Sequence, residues 1–265
     1  MLALASLAAC GGPDSDSELL TLRVAEETRD LGDERLFEDL RNGTKPVRAA
    51  SARALGRIGH PDALEPLVEA LDREGAVEVK REIAFALGIL GETEAVGPLL
   101  EALDREVDAT TSAEIAIALG RLGDAAALDA LHSLLGSSWG IIRERALEAI
   151  ALIADARSVP PLVETMKDPA PGVAWRAAYA LEKIEGTEQI PALVEATRSG
   201  DEQLRRAAVR SLGRLAANDG IDAIVAAHDA NHRDWQLDCR IADALGRIGE
   251  PDPEALRVIG ELLGA

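Results

Sequence analysis

Aromatic side chains are almost absent: three tryptophans, one tyrosine and two phenylalanines amount to 2% of 265 residues. A 47% hydrophobic content therefore rests on Ala, Leu, Ile and Val, small aliphatic residues that favour close helix packing, with Ala and Leu leading the helix-propensity ranking. Cysteine is scarce as well, with Cys10 and Cys239 alone, so stability comes from packing and not from a disulfide framework. Basic charge is in deficit, 28 Lys and Arg against 47 Asp and Glu, for a formal charge of −19. A field of that sign repels phosphate backbones and anionic headgroups, which argues against nucleic acid as a partner. No run approaches the roughly 20 apolar residues that a membrane-spanning helix needs.

Helix breakers are not scarce, but they recur at regular intervals. The phrase "LGRIG" stands at Leu55–Gly59 and again at Leu245–Gly249, with near-copies starting at Leu87, Leu119 and Leu212. Anchoring on its leucine gives Leu55, Leu87, Leu119, Ile150, Leu181, Leu212 and Leu245, spaced 31 to 33 residues apart. The preceding residue is always small (Ala54, Ala86, Ala118, Ala149, Ala180, Ser211, Ala244), and an aliphatic residue follows three later. Eight residues before each anchor stand Val47, Val79, Thr111, Ile142, Val173, Leu204 and Leu237. These offsets fall on one face of a 3.6-residue helix.

A second set of columns lies between the phrases. Leu64, Val96, Leu128, Val159, Ile190 and Ile221 are followed three residues on by another aliphatic residue, an amphipathic helix that opens with prolines such as Pro61, Pro98 and Pro160, where a missing N–H matters least. Gly59, Gly91 and Gly123 sit where C-cap glycines end the preceding helix. Each unit is a pair of antiparallel helices, and a stack of pairs buries what one pair cannot. The expected fold is all-α, an α-solenoid of about seven helix pairs over residues 33–265. A capping helix over 18–32 precedes it, and a half-repeat, "PEALRVIGELLGA", ends it.

The period, the proline-bearing first helix and the closing A-L-G-x-[IL]-G resemble HEAT repeats of the phycobilisome-lyase-like kind. The resemblance implies first helices on the convex side and second helices lining the concave side. It also implies a ladder of basic residues seven before each anchor, which here reads Arg48, Lys80, Ser112, Arg143, Ala174, Arg205 and Asp238, broken at repeats three, five and seven. A second cationic column, two after the anchor, holds Arg57, Arg121, Lys183, Arg214 and Arg247 near helix C-termini, where the dipole favours cations.

The N-terminus reads differently. "MLALASLAAC" ends in Leu7-Ala8-Ala9-Cys10, which resembles the lipobox of bacterial lipoproteins, although none of the nine residues before Cys10 is basic. The resemblance implies lipidation at Cys10, with residues 1–17 as signal and tether. It places the protein on the periplasmic side of a bacterial envelope, with Cys10 as its only membrane contact; a cytoplasmic protein with an apolar N-terminus is the alternative.

Catalytic-looking strings do not survive their context. "GSSWG" around Ser138 matches the nucleophile-elbow spacing but falls in a helix-to-helix turn, where that motif needs a strand. "HDANH" at His228–His232 approximates a zinc-binding helix, yet the register ends the helix at His228. The His-Glu pairs of iron-dependent HEAT hydroxylases have no counterpart among His60, His132, His228 and His232. No catalytic residue, metal or cofactor is expected.

Columns that vary are where such an array meets partners. Six and two residues before each anchor, on the expected concave face, stand Arg81 and Phe85, then Ile117, then Glu144 and Glu148, then Trp175 and Tyr179, then Arg206 and Arg210. Exposed aromatics flanked by charge are the composition of an interaction hot spot. The expected function is a non-catalytic scaffold binding a protein or peptide there. The alternatives are the helical part of a larger envelope enzyme, such as a cyclophilin-type prolyl isomerase, and a bilin-lyase-like protein.

Overall fold

The computed structural model describes residues 34–170, 172–228, 234–249 and 253–263. Cys10, the tether over 1–17, the capping segment over 18–32 and Asp229, Asn231 and His232 lie outside these residues. Every regular element among the described residues is helical, and the chain divides into two compact units, Met1–Ala127 and Leu128–Ala265.

The first unit holds three helix pairs. They are α1 (Arg35–Asn42) with α2 (Lys45–Ile58), α3 (Leu64–Arg73) with α4 (Val77–Leu90), and α5 (Val96–Arg105) with α6 (Ala109–Leu122). The second unit pairs α7 (Leu128–Leu134) with α8 (Gly140–Ile153) and α9 (Val159–Thr165) with α10 (Ala174–Lys183). It continues with α11 (Ile190–Ala196) and α12 (Glu202–Arg214), then α13 (Ile221–Ala226) and α14 (Trp235–Ile248), and closes on α15 (Pro253–Leu263). Second helices pack on second helices: α2 on α4 and α4 on α6 in the first unit, α8, α10, α12 and α14 successively in the other.

The anchor column is the core of both units. All seven anchors, the small residue before each and the residue eight before are buried. First helices contribute Leu67, Leu99, Leu131, Leu162, Leu193 and Ile224, each fully buried. A 3₁₀ turn such as Pro61–Ala63 precedes five of the first helices, and Pro98 and Pro160 fall within the first turn of α5 and α9. Six of the seven second helices end on a left-handed residue, and α10 is followed by extended Ile184. Gly59 has φ 74°, and at the same offset repeats four and six use Ala154 (φ 56°) and Ala216 (φ 48°).

The glycine inside the phrase has a different task. A Cβ on Gly56 would lie 2.6 Å from the Cα of Ala86, and one on Gly213 would lie 2.5 Å from the Cα of Ala244. The glycine of one layer thus receives the backbone of the next at its small residue, which is why the phrase A-L-G recurs as a unit. Gly88 meets Ala118 in the same way.

The basic ladder ties turns together. Arg48 donates to both carboxylate oxygens of Glu74 (2.7 and 2.9 Å) and to the Gly43 carbonyl. Lys80 reaches Glu106 at 2.9 Å, and Arg143 reaches Asp168 at 2.8 Å. Each cation thus spans from its own repeat to the turn of the next. Glu74 also accepts from the Gly75 and Ala76 N–H groups, so the Arg48 guanidinium and these amides hold its carboxyl below the usual range. At Glu106 burial pushes the carboxyl up, but the Asp108 and Val107 amides and Lys80 outweigh it and leave it lowered. In repeat seven the ladder changes sign: Asp238 occupies the basic column and meets His228 Nδ1 at 3.2 Å.

Candidate binding groove

The glycine column breaks in two adjacent repeats. One residue after the anchors stand Gly56, Gly88, Gly120, Ala151, Glu182, Gly213 and Gly246. Ala151 on α8 carries a methyl at the offset where Gly56, Gly88 and Gly213 receive the next backbone, so α10 cannot approach α8 as closely as α4 approaches α2. Glu182 on α10 then replaces glycine with a long charged side chain facing α12. A cavity of this unit opens at the interrupted stretch: about 450 Å³, walled by Leu147, Ala151 and Leu152 of α8 and by Trp175 and Tyr179 of α10. Glu148, Arg176, Lys183 and Arg210 complete its polar rim.

Trp175 and Tyr179, one helical turn apart on α10, are half-buried, and cations cover their ring faces. The Arg176 guanidinium lies 4.5 Å from the Trp175 ring centre. Lys183 and Arg210 approach the Tyr179 ring at 4.7 and 5.0 Å. Such contacts contribute about 0.5–1 kcal/mol each at exposed sites, and here they fix three cations on one wall.

Beneath Tyr179 lies Glu182, its side chain only 3% exposed. Arg210 Nε donates to Oε2 at 3.1 Å, Arg214 Nε reaches Oε1 at 3.1 Å, and Lys183 Nζ lies 3.9 Å away. Ser211, the one departure from alanine in the column before the anchor, places its hydroxyl 3.3 Å from the same carboxylate. One carboxylate therefore serves three cations, and Arg210 Nη2, buried, has no hydrogen-bond partner among the described residues.

The other expected surface residues are distributed differently. Glu144 pairs with Arg176 (3.3 Å) and Glu148 with Arg145 (2.8 Å). Arg206 is committed to structure: it donates to both oxygens of Asp234 and to Gln236 Oε1. Burial pushes the Asp234 carboxyl up, but Arg206 and the Leu237 amide that Asp234 caps leave it lowered. Ile117, expected on the open face, is 4% exposed. Register alone placed it there; α6 carries only Glu114 and Arg121 as charges, and a helix apolar on nearly all sides is buried. Arg81 is exposed, and Phe85 lies under Arg121 at 4.9 Å in a separate recess of the first unit that Arg53, Arg57 and Glu114 also line.

Ser138 stays in the α7–α8 turn, and no strand occurs among the described residues. His132 bonds the buried Ser158 hydroxyl at 2.9 Å, and burial lowers its pKa. His228 sits between Asp238 and Glu261 (3.2 and 3.5 Å). The expected surface omitted Leu147, Leu152, Arg176 and Glu182, and Lys183 was read only as a cation at a helix C-terminus; the break in the glycine column was the available signal. They also passed over Trp139 and Trp235, 62% and 69% exposed at the turn-side ends of α8 and α14.

A family model described as HEAT repeats matches residues 34–119, 65–151, 140–213 and 190–265. Among solved structures, YibA of Escherichia coli is similar at TM-score 0.59 and 17% identity, over 97% of this chain and 99% of that one. An engineered protein is similar at 0.55 and 24%, over 96% and 80%. The complex of CpcE and CpcF of phycocyanin lyase from a Nostoc species is similar at 0.54 and 23%, over 99% of each chain. No curated protein matches the sequence.

Proposed function

The chain belongs to the HEAT-repeat family, and from that premise we propose that it is a scaffold that captures a protein or peptide in the groove between α8 and α10. One observation carries this reading: the cavity opens where two successive layers abandon the glycine contact, and the chain's single tyrosine and one of its three tryptophans wall it. Where layers stack evenly in the first unit, the recess beside Phe85 is smaller, about 250 Å³. An opening kept open by Ala151 and by the Glu182–Ser211 pair, walled by aromatic and Arg side chains, has the make-up of a recognition pocket. The pairing of two HEAT-like chains in the Nostoc lyase complex is in keeping with a binding role. Attachment at the bacterial envelope through a lipidated Cys10 belongs to the same proposal and rests on Leu7-Ala8-Ala9-Cys10.

Crosslinked capture from envelope extracts tests the binding role, comparing the wild type with Trp175→Ala/Tyr179→Ala. A protein retained by the wild type and lost from the double variant, with helical circular dichroism unchanged, is the expected result. Equal capture by both proteins refutes the groove as the binding surface. Purified protein that carries a visible-absorbing chromophore would favour lyase chemistry instead. Palmitate incorporation that disappears in Cys10→Ser checks the anchor.

A further inference from the structure

Resting on that binding reading, we propose that the groove's occupant is a linear peptide segment in which an acidic side chain stands next to an aliphatic one. Charge complementarity points there. Of the charged side chains that line the cavity, Arg176, Lys183 and Arg210 are cations and Glu148 the one anion, with Glu144 and Glu182 paired to Arg176 and Arg210; this is a local excess of cation at the wall of a chain whose formal charge is −19. At physiological ionic strength the Debye length is about 8 Å, so a docked side chain responds to these groups more than to the distant acidic surface.

The excess is held in place, not free to drift. Arg210 is fixed by Glu182 on one side and by the Tyr179 ring on another. Its Nη2 is buried in the protein without a hydrogen-bond partner among the described residues, while the exposed part of the side chain lines the cavity. A carboxylate docked against that part makes a charge-assisted hydrogen bond, about twice as strong as a neutral one. Next to Arg210 the wall turns apolar, with Leu147, Ala151 and Leu152 across from Trp175. About 450 Å³ falls within the usual size range of ligand pockets, roughly 300–1,000 Å³. The acid supplies orientation and the aliphatic side chain supplies burial.

Replacing the exposed Trp139 and Trp235 by Phe leaves Trp175 as the only tryptophan and makes its fluorescence a local reporter. Three Ser/Gly-spaced decapeptides serve as probes: one with Glu-Leu-Glu at its centre, one with Gln-Leu-Gln and one with Lys-Leu-Lys. The Glu peptide is expected to shift Trp175 emission saturably, the Gln peptide to bind at least tenfold more weakly, and the Lys peptide not at all. Arg210→Met should bring the Glu and Gln peptides within twofold of each other, and Arg210→Lys should restore part of the difference. Equal binding of the Gln or Lys peptide overturns the acidic preference while leaving the groove as a binding site. No response to any of the three overturns a peptide occupant; partner capture that depends on Trp175 and Tyr179 would still support the broader reading.

Discussion

Ser211 Oγ lies 3.3 Å from Glu182 Oε2, and these are the two residues that leave the A-L-G phrase at the same junction. Where other layers bring glycine against alanine, this one brings a carboxylate against a hydroxyl. Two exceptions that look unrelated in sequence form one contact across α10 and α12. Coupling should therefore be measurable. Glu182→Ala alone strands Arg210 Nε and leaves Ser211 only the Ala178 carbonyl as acceptor (3.2 Å), and should cost about 1–3 kcal/mol, Ser211→Ala alone about 1 kcal/mol. The double variant should fall short of the sum by at least about 0.5 kcal/mol in urea denaturation; strict additivity would mean the contact contributes nothing.

Close approach of layers makes a second contrast. Gly213→Ala puts a methyl against the Ala244 backbone and should destabilise the protein by about 1–3 kcal/mol through overpacking. Gly97→Ala, on the exposed side of α5 with nothing within 4 Å, should gain about 0.5–1 kcal/mol from helix propensity. Thermal denaturation monitored at 222 nm separates the two; a shift of the same sign for both would contradict the packing account.

Ala154 and Ala216 hold left-handed conformations that glycine adopts at the same offset elsewhere. An L-residue there costs about 1–2 kcal/mol, and glycine's greater freedom in the unfolded chain gives back about 0.4–1 kcal/mol. Ala154→Gly and Ala216→Gly should each raise stability by about 0.5 kcal/mol, seen as a higher urea midpoint at unchanged slope.

Glu74, Glu106 and Asp234 all have folded-state pKa values below their ordinary ones. The unfolded chain then binds more protons at low pH, so stability rises with pH in that range. Their contribution is present above the unfolded carboxylate values, about 4, and is lost as pH falls through the folded ones. Arg48→Met removes the main cause at Glu74 and should flatten this acid limb. Denaturation midpoints between pH 2.5 and 6 check it, and an unchanged slope would show that the ladder does not couple to folding.

Much of this fold was legible from spacing alone, because a repeat states the same burial rule seven times. Leu55 and Leu181 occupy equivalent places, and both are fully buried. Position on a face was harder to infer than position in a column. Ile117 shares its offset with Tyr179, yet it is buried, because exposure depends on what surrounds a helix as well as on register. Arg206 was likewise visible as a cation at the expected face, whereas its partner Asp234 lies 28 residues away and could be found only by folding the chain. Glu182 carried the clearest signal of all, a charge in a glycine column, and it marks the groove.

The glycine–alanine contact also governs how such an array can change length. Excising Gly56–Leu87 joins Leu55 to Gly88, rewrites the phrase A-L-G without a scar, and leaves Gly88 against its present neighbour Ala118. Those layers are interchangeable parts. The equivalent cut at the groove, residues 182–212, joins Leu181 to Gly213 and restores A-L-G against Ala244, but it removes Glu182, Arg210 and Ser211 together. The stacking contact is therefore indifferent to what shapes the groove: one scarless loss would keep the array and erase the polar wall built on Glu182.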